Sequence, residues 1–196
     1  MILPPSFYER DTVTVAKDLL GCLLVHRNET ATMGWIVEVE AYLRDDPAAH
    51  SYRGETPRNR AMFGPAGHAY VYRIYGLHTC VNVVTGPEGT GEAVLVRALE
   101  PAGGIEFMQA RRGTDDPLAL ASGPGKLTQA LGITMDLDGT PLSGGPLQIW
   151  SPESLSDRRP EGTDGEIVQT TRIGITKAAD LPLRFYRNGN RYISRR

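Results

Sequence analysis

Residues 36–43 read Ile-Val-Glu-Val-Glu-Ala-Tyr-Leu. Apolar and other residues alternate there with a period of two, the pattern of a half-buried strand. Successive strand side chains point to opposite faces. The alternation predicts Val37, Val39 and Ala41 on one face and Glu38, Glu40 and Tyr42 on the other. Two carboxylates and a phenol would then project together from a strand, which holds side chains better than a loop does.

Working outward, the sequence gives short strands separated by turn formers. Asp11 or Thr12 can cap a helix through Leu20, closed by Gly21. Cys22 to His26 reads as a strand, as do Ala69 to Ile74 and Thr79 to Val84, joined at Tyr75-Gly76-Leu77-His78 in what reads as a hairpin tip. Ala93 to Leu99 is a strand stopped by Pro101. Ile105 to Arg112 reads as a helix, and Ser122-Gly123-Pro124-Gly125-Lys126 leads into another ending near Leu131. Leu147 to Trp150 and Ile167 to Ile175 read as strands. Leu183 to Tyr186 and Arg191 to Ser194 read as a hairpin around Asn188-Gly189. The connection from Arg44 to Phe63 is long and aperiodic, which marks it as functional or mobile. Strands outnumber helices and short turns join several of them. The expected class is α+β: one domain over residues 1–196, a curved, mainly antiparallel sheet with flanking helices and a protruding hairpin.

The 196 residues suffice for one domain with a real core. Hydrophobic content of 40% and charged content of 22% are ordinary for a soluble protein. No apolar run approaches the ~20 residues of a membrane span, and the start, Met-Ile-Leu-Pro-Pro-Ser, lacks a signal-peptide pattern. The expectation is a cytoplasmic protein without membrane contact. Cys22 and Cys80 are the only cysteines and read as buried thiols. His50, His68 and His78 lack ligand spacing, so no metal is expected. Net charge is -2, but residues 172–196 hold six Arg and one Lys against Asp180. Only Lys17, Lys126 and Lys177 are lysines; the other basic residues are arginines, whose planar fork suits phosphate oxygens.

Several residues could carry chemistry. Glu40, two positions from Glu38 and from Tyr42, could hold a water and take its proton; spacing alone favours a solvated strand face. Arg97 in Val-Leu-Val-Arg-Ala-Leu-Glu-Pro has apolar neighbours, so its guanidinium is expected to meet a carboxylate, either structurally or for catalysis. Tyr70 and Tyr72 share a face, as cross-strand packing does. Tyr75 beside Gly76 at a hairpin tip is shaped to wedge into a base stack, or merely caps the sheet. Residues 122–126 place free N–H groups and a lysine at a helix start, an anion site or a plain cap. Their spacing is not that of a Walker motif.

Taken in order, these segments resemble a known family. Ile-Val-Glu-Val-Glu-Ala-Tyr-Leu, Ala-Ala-His-Ser, Thr-Pro-Arg-Asn-Arg-Ala-Met-Phe, Tyr-Val-Tyr-Arg-Ile-Tyr-Gly-Leu, Val-Arg-Ala-Leu-Glu-Pro, Ser-Gly-Pro-Gly-Lys-Leu and Pro-Leu-Arg-Phe-Tyr are similar to the alkyladenine (3-methyladenine) DNA glycosylases. The resemblance runs from about Leu19 to Ile193. It implies a DNA repair enzyme that flips a damaged purine out of duplex DNA and hydrolyses its N-glycosidic bond. Glu40 then resembles the general base and Arg97 the residue that helps hold the water. Tyr42, His50 and Tyr72 match the side chains that sandwich the flipped base, and Tyr75 the wedge that fills the vacated stack. Asn82 matches a pocket residue that clashes with the exocyclic amine of guanine. Met62 resembles a residue near the wedge, and Ser122 and Lys126 fall near the DNA backbone. Substrates in the class of 3-methyladenine, 7-methylguanine, hypoxanthine and ethenoadenine are implied. So are a monomer, no cofactor, and, with no lysine between Leu19 and Lys126, no Schiff-base step. Two features depart from the family pattern: its animal members carry a long N-terminal segment not seen here, and the region from Asp115 to Ala121 is short.

Two other classes remain in view. The same fold resembles the carboxy-terminal domain of a tRNA formyltransferase, a non-catalytic nucleic-acid-binding module that would need neither Glu40 nor Arg97. A carbohydrate glycosidase using Glu38 and Glu40 is the other. Same-face strand neighbours lie roughly 7 Å apart and would not flank a sugar from both sides.

Overall fold

A computed structural model describes residues 1–74, 76, 78–153 and 165–194. The helices are α1 (Pro5–Tyr8), α2 (Thr12–Leu19), α3 (Ile105–Arg112), α4 (Pro117–Leu120) and α5 (Pro124–Leu131). The strands are β1 (Leu23–His26), β2 (Thr32–Tyr42), β3 (Ala69–Ile74), β4 (His78–Thr85), β5 (Glu92–Gly103), β6 (Leu147–Trp150), β7 (Ile167–Thr170) and β8 (Arg184–Arg187). They pair in the order β3-β4-β5-β2-β1-β6, with β8 joining β2 to β7, and every pairing is antiparallel. The expected α+β class and antiparallel sheet are what the chain forms. Among the described residues no helix is long and apolar enough to cross a membrane.

Local chemistry explains the boundaries. The Asp11 carboxylate accepts the Thr14 N–H at 2.8 Å and caps α2, an arrangement worth about 1 kcal/mol. The main core lies between one face of the sheet and α2, α3 and α5; Ile36, Val39, Ala41, Val94, Val96 and Leu99 meet Leu19, Met108, Leu127 and Leu131 there. A second cluster on Tyr70, Val84 and Ala93 also holds Ala49 and Met62. Residues 44–63, which follow β2, come back over the sheet to supply those last two side chains. Strand β2 is therefore buried on both faces, not on one as the alternation predicts, and Glu38 and Glu40 are wholly inside.

The alternation also breaks once. Ile36 is opposite Leu99 and Glu38 opposite Ala98, so Val37 is an extra residue on β2. Val39 is opposite Val96, so Arg97 is an extra residue on β5. Such bulges bend strands and re-aim side chains. Ile36 consequently joins Val39 and Ala41 in the core cluster, whereas Val37 is buried outside it. The bulge lies where β2 exchanges its edge neighbour, β1 pairing with 32–35 and β8 with 38–40.

Two C-terminal expectations are corrected. The strand expected to reach Ile175 stops at Thr170, because the Arg172 and Ile173 backbone turns inward and the Ile173 N–H bonds to Glu40 at 2.8 Å. Residues 191–194 do not pair with β8, whose partners are β2 and β7. They turn inward instead, and Ser194 bonds to Glu38. A buried carboxylate gains more from those donors than an exposed edge strand would.

Candidate active site

Strand register brings the site together. Tyr70 is opposite Asn82, Asn82 opposite Leu95, Leu95 opposite Glu40, and Glu40 opposite Arg184. Directly opposed residues share a face, so one row crosses four neighbouring strands and continues onto β8. A cavity of about 590 Å³ opens over this row. Tyr42, His50, Tyr72, Asn82, Met62 and Arg97 all line it, together with Cys80, Gly123 to Lys126 and Ile173 to Ile175.

The two carboxylates have different surroundings. Glu38 Oε1 accepts from Arg184 Nε at 2.7 Å, from Arg97 Nε at 3.2 Å and from Ser194 Oγ at 2.8 Å, while Oε2 accepts the Ser194 N–H. It is saturated and does not line the cavity. Glu40 Oε1 accepts the Ile173 N–H, Oε2 accepts the Tyr42 hydroxyl at 2.9 Å, and Arg97 Nη1 stands 3.2 Å from Oε2. Glu40 does not itself line the cavity. It lies immediately behind Arg97, Tyr42 and Ile173, which do. Arg97, projected by its bulge, thus bridges both carboxylates and reaches the cavity wall. The pairing of Glu38 with two guanidiniums leaves no room for it as the second acid of a sugar-cleaving pair.

The aromatic walls are packed in advance. His50 and Tyr72 are in edge contact, with centroids 4.5 Å apart, and Tyr70 stacks on Tyr72 at 5.3 Å. The Tyr70 hydroxyl and His50 Nδ1 are 2.9 Å apart. His50 and Tyr72 therefore form one wall, and Tyr42, bonded to Glu40, lines the same cavity. Burial pushes the His50 pKa below 6.5, helped by the nearby Arg58 charge. Burial raises the Tyr72 pKa. It also raises that of Tyr42, which is reinforced by the Glu40 charge. Burial likewise raises the Cys80 thiol, in keeping with the expected buried thiol, though this one also touches the cavity.

The remaining candidates fall as follows. Asn82 donates Nδ2 to the Tyr70 carbonyl at 3.1 Å, its side chain's single hydrogen bond among the described residues. Met62 is 2% exposed, in a 3₁₀ turn (Arg60–Phe63), and packs in the second cluster. Lys126 Nζ lies 3.4 Å from Ser122 Oγ at the start of α5. A Cβ on Gly125 there would sit 3.2 Å from His78 Cβ, a tight contact, so α5 packs closely on the base of the hairpin. The expected wedge, Tyr75, lies outside the described residues. No cluster of His, Cys, Asp or Glu suited to a metal occurs among the described residues.

Several supports were not legible beforehand. Asn59 of Thr-Pro-Arg-Asn-Arg is buried and donates to the His50 carbonyl at 2.9 Å and the Gly54 carbonyl at 3.1 Å. It accepts the Thr56 N–H and hydroxyl, so it ties the long connection together. Asp46 in the same connection forms a two-pronged ion pair with Arg172. The place of Asn59 after Pro-Arg in an aperiodic stretch is the one local signal for the first, and it was not used. Nothing local marks the second.

A profile of the methylpurine-DNA glycosylase (MPG) family matches residues 6–191. The chain belongs to the methylpurine-DNA glycosylase family. As a member it is a DNA glycosylase, a hydrolase of N-glycosyl bonds acting on DNA. A protein of Methanoculleus marisnigri, provisionally named a 3-methyladenine DNA glycosylase, is 78% identical over the whole of both chains. One of Carboxydothermus hydrogenoformans with the same provisional name is 52% identical, again over both full lengths. One of Rhodopseudomonas palustris is 53% identical over 99% of this chain and 88% of its own. The resemblance read from the ordered motifs is therefore the family of the chain.

Proposed function

We propose that this methylpurine-DNA glycosylase starts base excision repair by extruding an alkylated or deaminated purine from duplex DNA and hydrolysing its bond to the sugar. The reading covers 3-methyladenine, 7-methylguanine, hypoxanthine and ethenoadenine. The observation that carries it is the buried Glu40–Arg97 pair, whose Arg97 reaches a cavity with walls that include Tyr42, His50 and Tyr72.

The flipped base stacks between those walls, and C1′ of its sugar faces Arg97. A water held by Glu40 and Arg97 attacks C1′. The C1′–O bond forms as the C1′–N bond breaks, the electron pair of that bond stays with the base, and Glu40 takes the proton of the water. A base carrying a positive charge leaves neutral and needs no separate acid, whereas a neutral base such as hypoxanthine leaves as its anion and takes a proton from solvent water. The negative charge of Glu40 complements the positive character developing on the sugar. Asn82, anchored through Nδ2, stands where the exocyclic amine of guanine would collide. Lys126 and Ser122 at the cavity rim meet the DNA backbone. A non-catalytic binding module has no use for a carboxylate buried against Arg97, and this favours the enzyme over that alternative.

The test is release of each lesion from a duplex, read by alkaline cleavage at abasic sites. Wild type is expected to release at least one. Glu40→Gln is expected to lose release by two orders of magnitude or more while still binding damaged duplex. Turnover by Glu40→Gln at the wild-type rate would refute the assignment.

A further inference from the structure

Tyr42 has a second occupied side. The Arg172 guanidinium carbon lies 4.7 Å from the Tyr42 ring centroid. Arg172 is closed from solvent and does not line the cavity, whereas Tyr42 does. The ring thus separates a buried cation from the space in front of it. Arg172 is held there by Asp46, by the Ala41 carbonyl at 3.1 Å and by the Ala178 carbonyl at 3.4 Å. Asp46 also accepts the Ala48 N–H at 2.9 Å, and its side chain is 1% exposed. A full positive charge behind an aromatic ring draws on the same quadrupole that would attract a cation in front of it. A carboxylate on that charge cancels the effect.

We infer that the buried Asp46–Arg172 pair behind Tyr42 sets the charge preference of the cavity, keeping the ring able to receive a cationic purine. The inference rests on the proposed function, because it takes the flipped base to lie against the free face of Tyr42. Asp46 and Arg172 touch no substrate; they are positioning and specificity residues. Two unit charges separated by a ring and a stacking distance, roughly 8 Å, interact enough at a partly screened site to change relative rates on the order of tenfold.

The experiment compares single-turnover release of 7-methylguanine, which is cationic, with release of hypoxanthine, which is neutral. Each pair of rates comes from one enzyme preparation, so the folded fraction cancels in their ratio. Asp46→Asn leaves the guanidinium uncompensated and is expected to lower the cationic-to-neutral ratio roughly tenfold. Arg172→Met leaves the carboxylate uncompensated and is expected to raise it. The double variant Asp46→Asn/Arg172→Met, which buries no net charge, is expected to return the ratio to near wild type. A pair that only braces the loop would lower both rates together and leave the ratio unmoved in all three variants, which overturns the inference. A wild type that releases neither base sinks the proposed function instead.

Discussion

Glu38 and Glu40 stand two residues apart on one strand, both fully buried, and they should fail in opposite ways. Glu38 is shared by Arg97 and Arg184 and also takes two donors from Ser194. In Glu38→Gln the amide keeps one oxygen for the guanidiniums, but its NH₂ then faces the Ser194 N–H, donor against donor. Removing one member of a buried charge cluster costs roughly 3–5 kcal/mol. That is a large share of the ~5–15 kcal/mol that holds a domain folded. At about 2–4 °C per kcal/mol for a chain of this size, the midpoint of thermal unfolding should fall by roughly 6–20 °C. Glu40→Gln leaves Arg97 its contact with Glu38 and retains an oxygen for Tyr42 or Ile173, so its loss should stay near ~1–2 kcal/mol. Circular dichroism melts and single-turnover base release at 20 °C, normalised to folded protein, separate the two. Glu38→Gln should be unstable yet active when folded, and Glu40→Gln stable yet inactive. A Glu38→Gln protein that melts within a few degrees of wild type and releases no base would move the chemistry to Glu38 and refute the reasoning.

Two further outcomes can be checked directly. His50 has a folded-state pKa below its ordinary 6.5. The unfolded chain therefore takes the proton first, so stability from this group is complete above pH 6.5 and is lost as pH falls through the folded value. Urea midpoints of wild type should drop more steeply than those of His50→Gln across that window, and parallel curves would contradict the shift. Lys126 lies at the cavity rim but without a position beside Glu40, so borohydride reduction during turnover should trap no protein–DNA adduct. An adduct abolished by Lys126→Ala would overturn the hydrolytic scheme.

The period-two run at 36–43, the turn formers and the ordered motifs made most strands and the family legible, because they are local. Arg97, Tyr42, His50, Tyr72 and Asn82 were singled out this way and line one cavity, and Glu40, singled out with them, lies behind Arg97. What stayed hidden depends on pairing between distant segments. The register that aligns Tyr70, Asn82, Leu95 and Glu40 has no single-segment signature, nor has the bulge that turns Arg97 toward both carboxylates. Burial of β2 on both faces arises from a connection that shows no periodicity. The tail from 191 to 194 reads as a strand by composition, yet the donors of Ser194 are worth more on a buried carboxylate than in an edge ladder.

Beyond Arg97 and Tyr42, the groups that fill Glu38 and Glu40 come from 133 to 156 residues further along. Contacts of such span form late, since a long loop must close before they repay its entropy. A chain still emerging from the ribosome can own the central strand and its helices while its carboxylates await Ile173, Arg184 and Ser194. Under the proposed function, base release therefore waits until residues 173–194 have folded back onto the central strand.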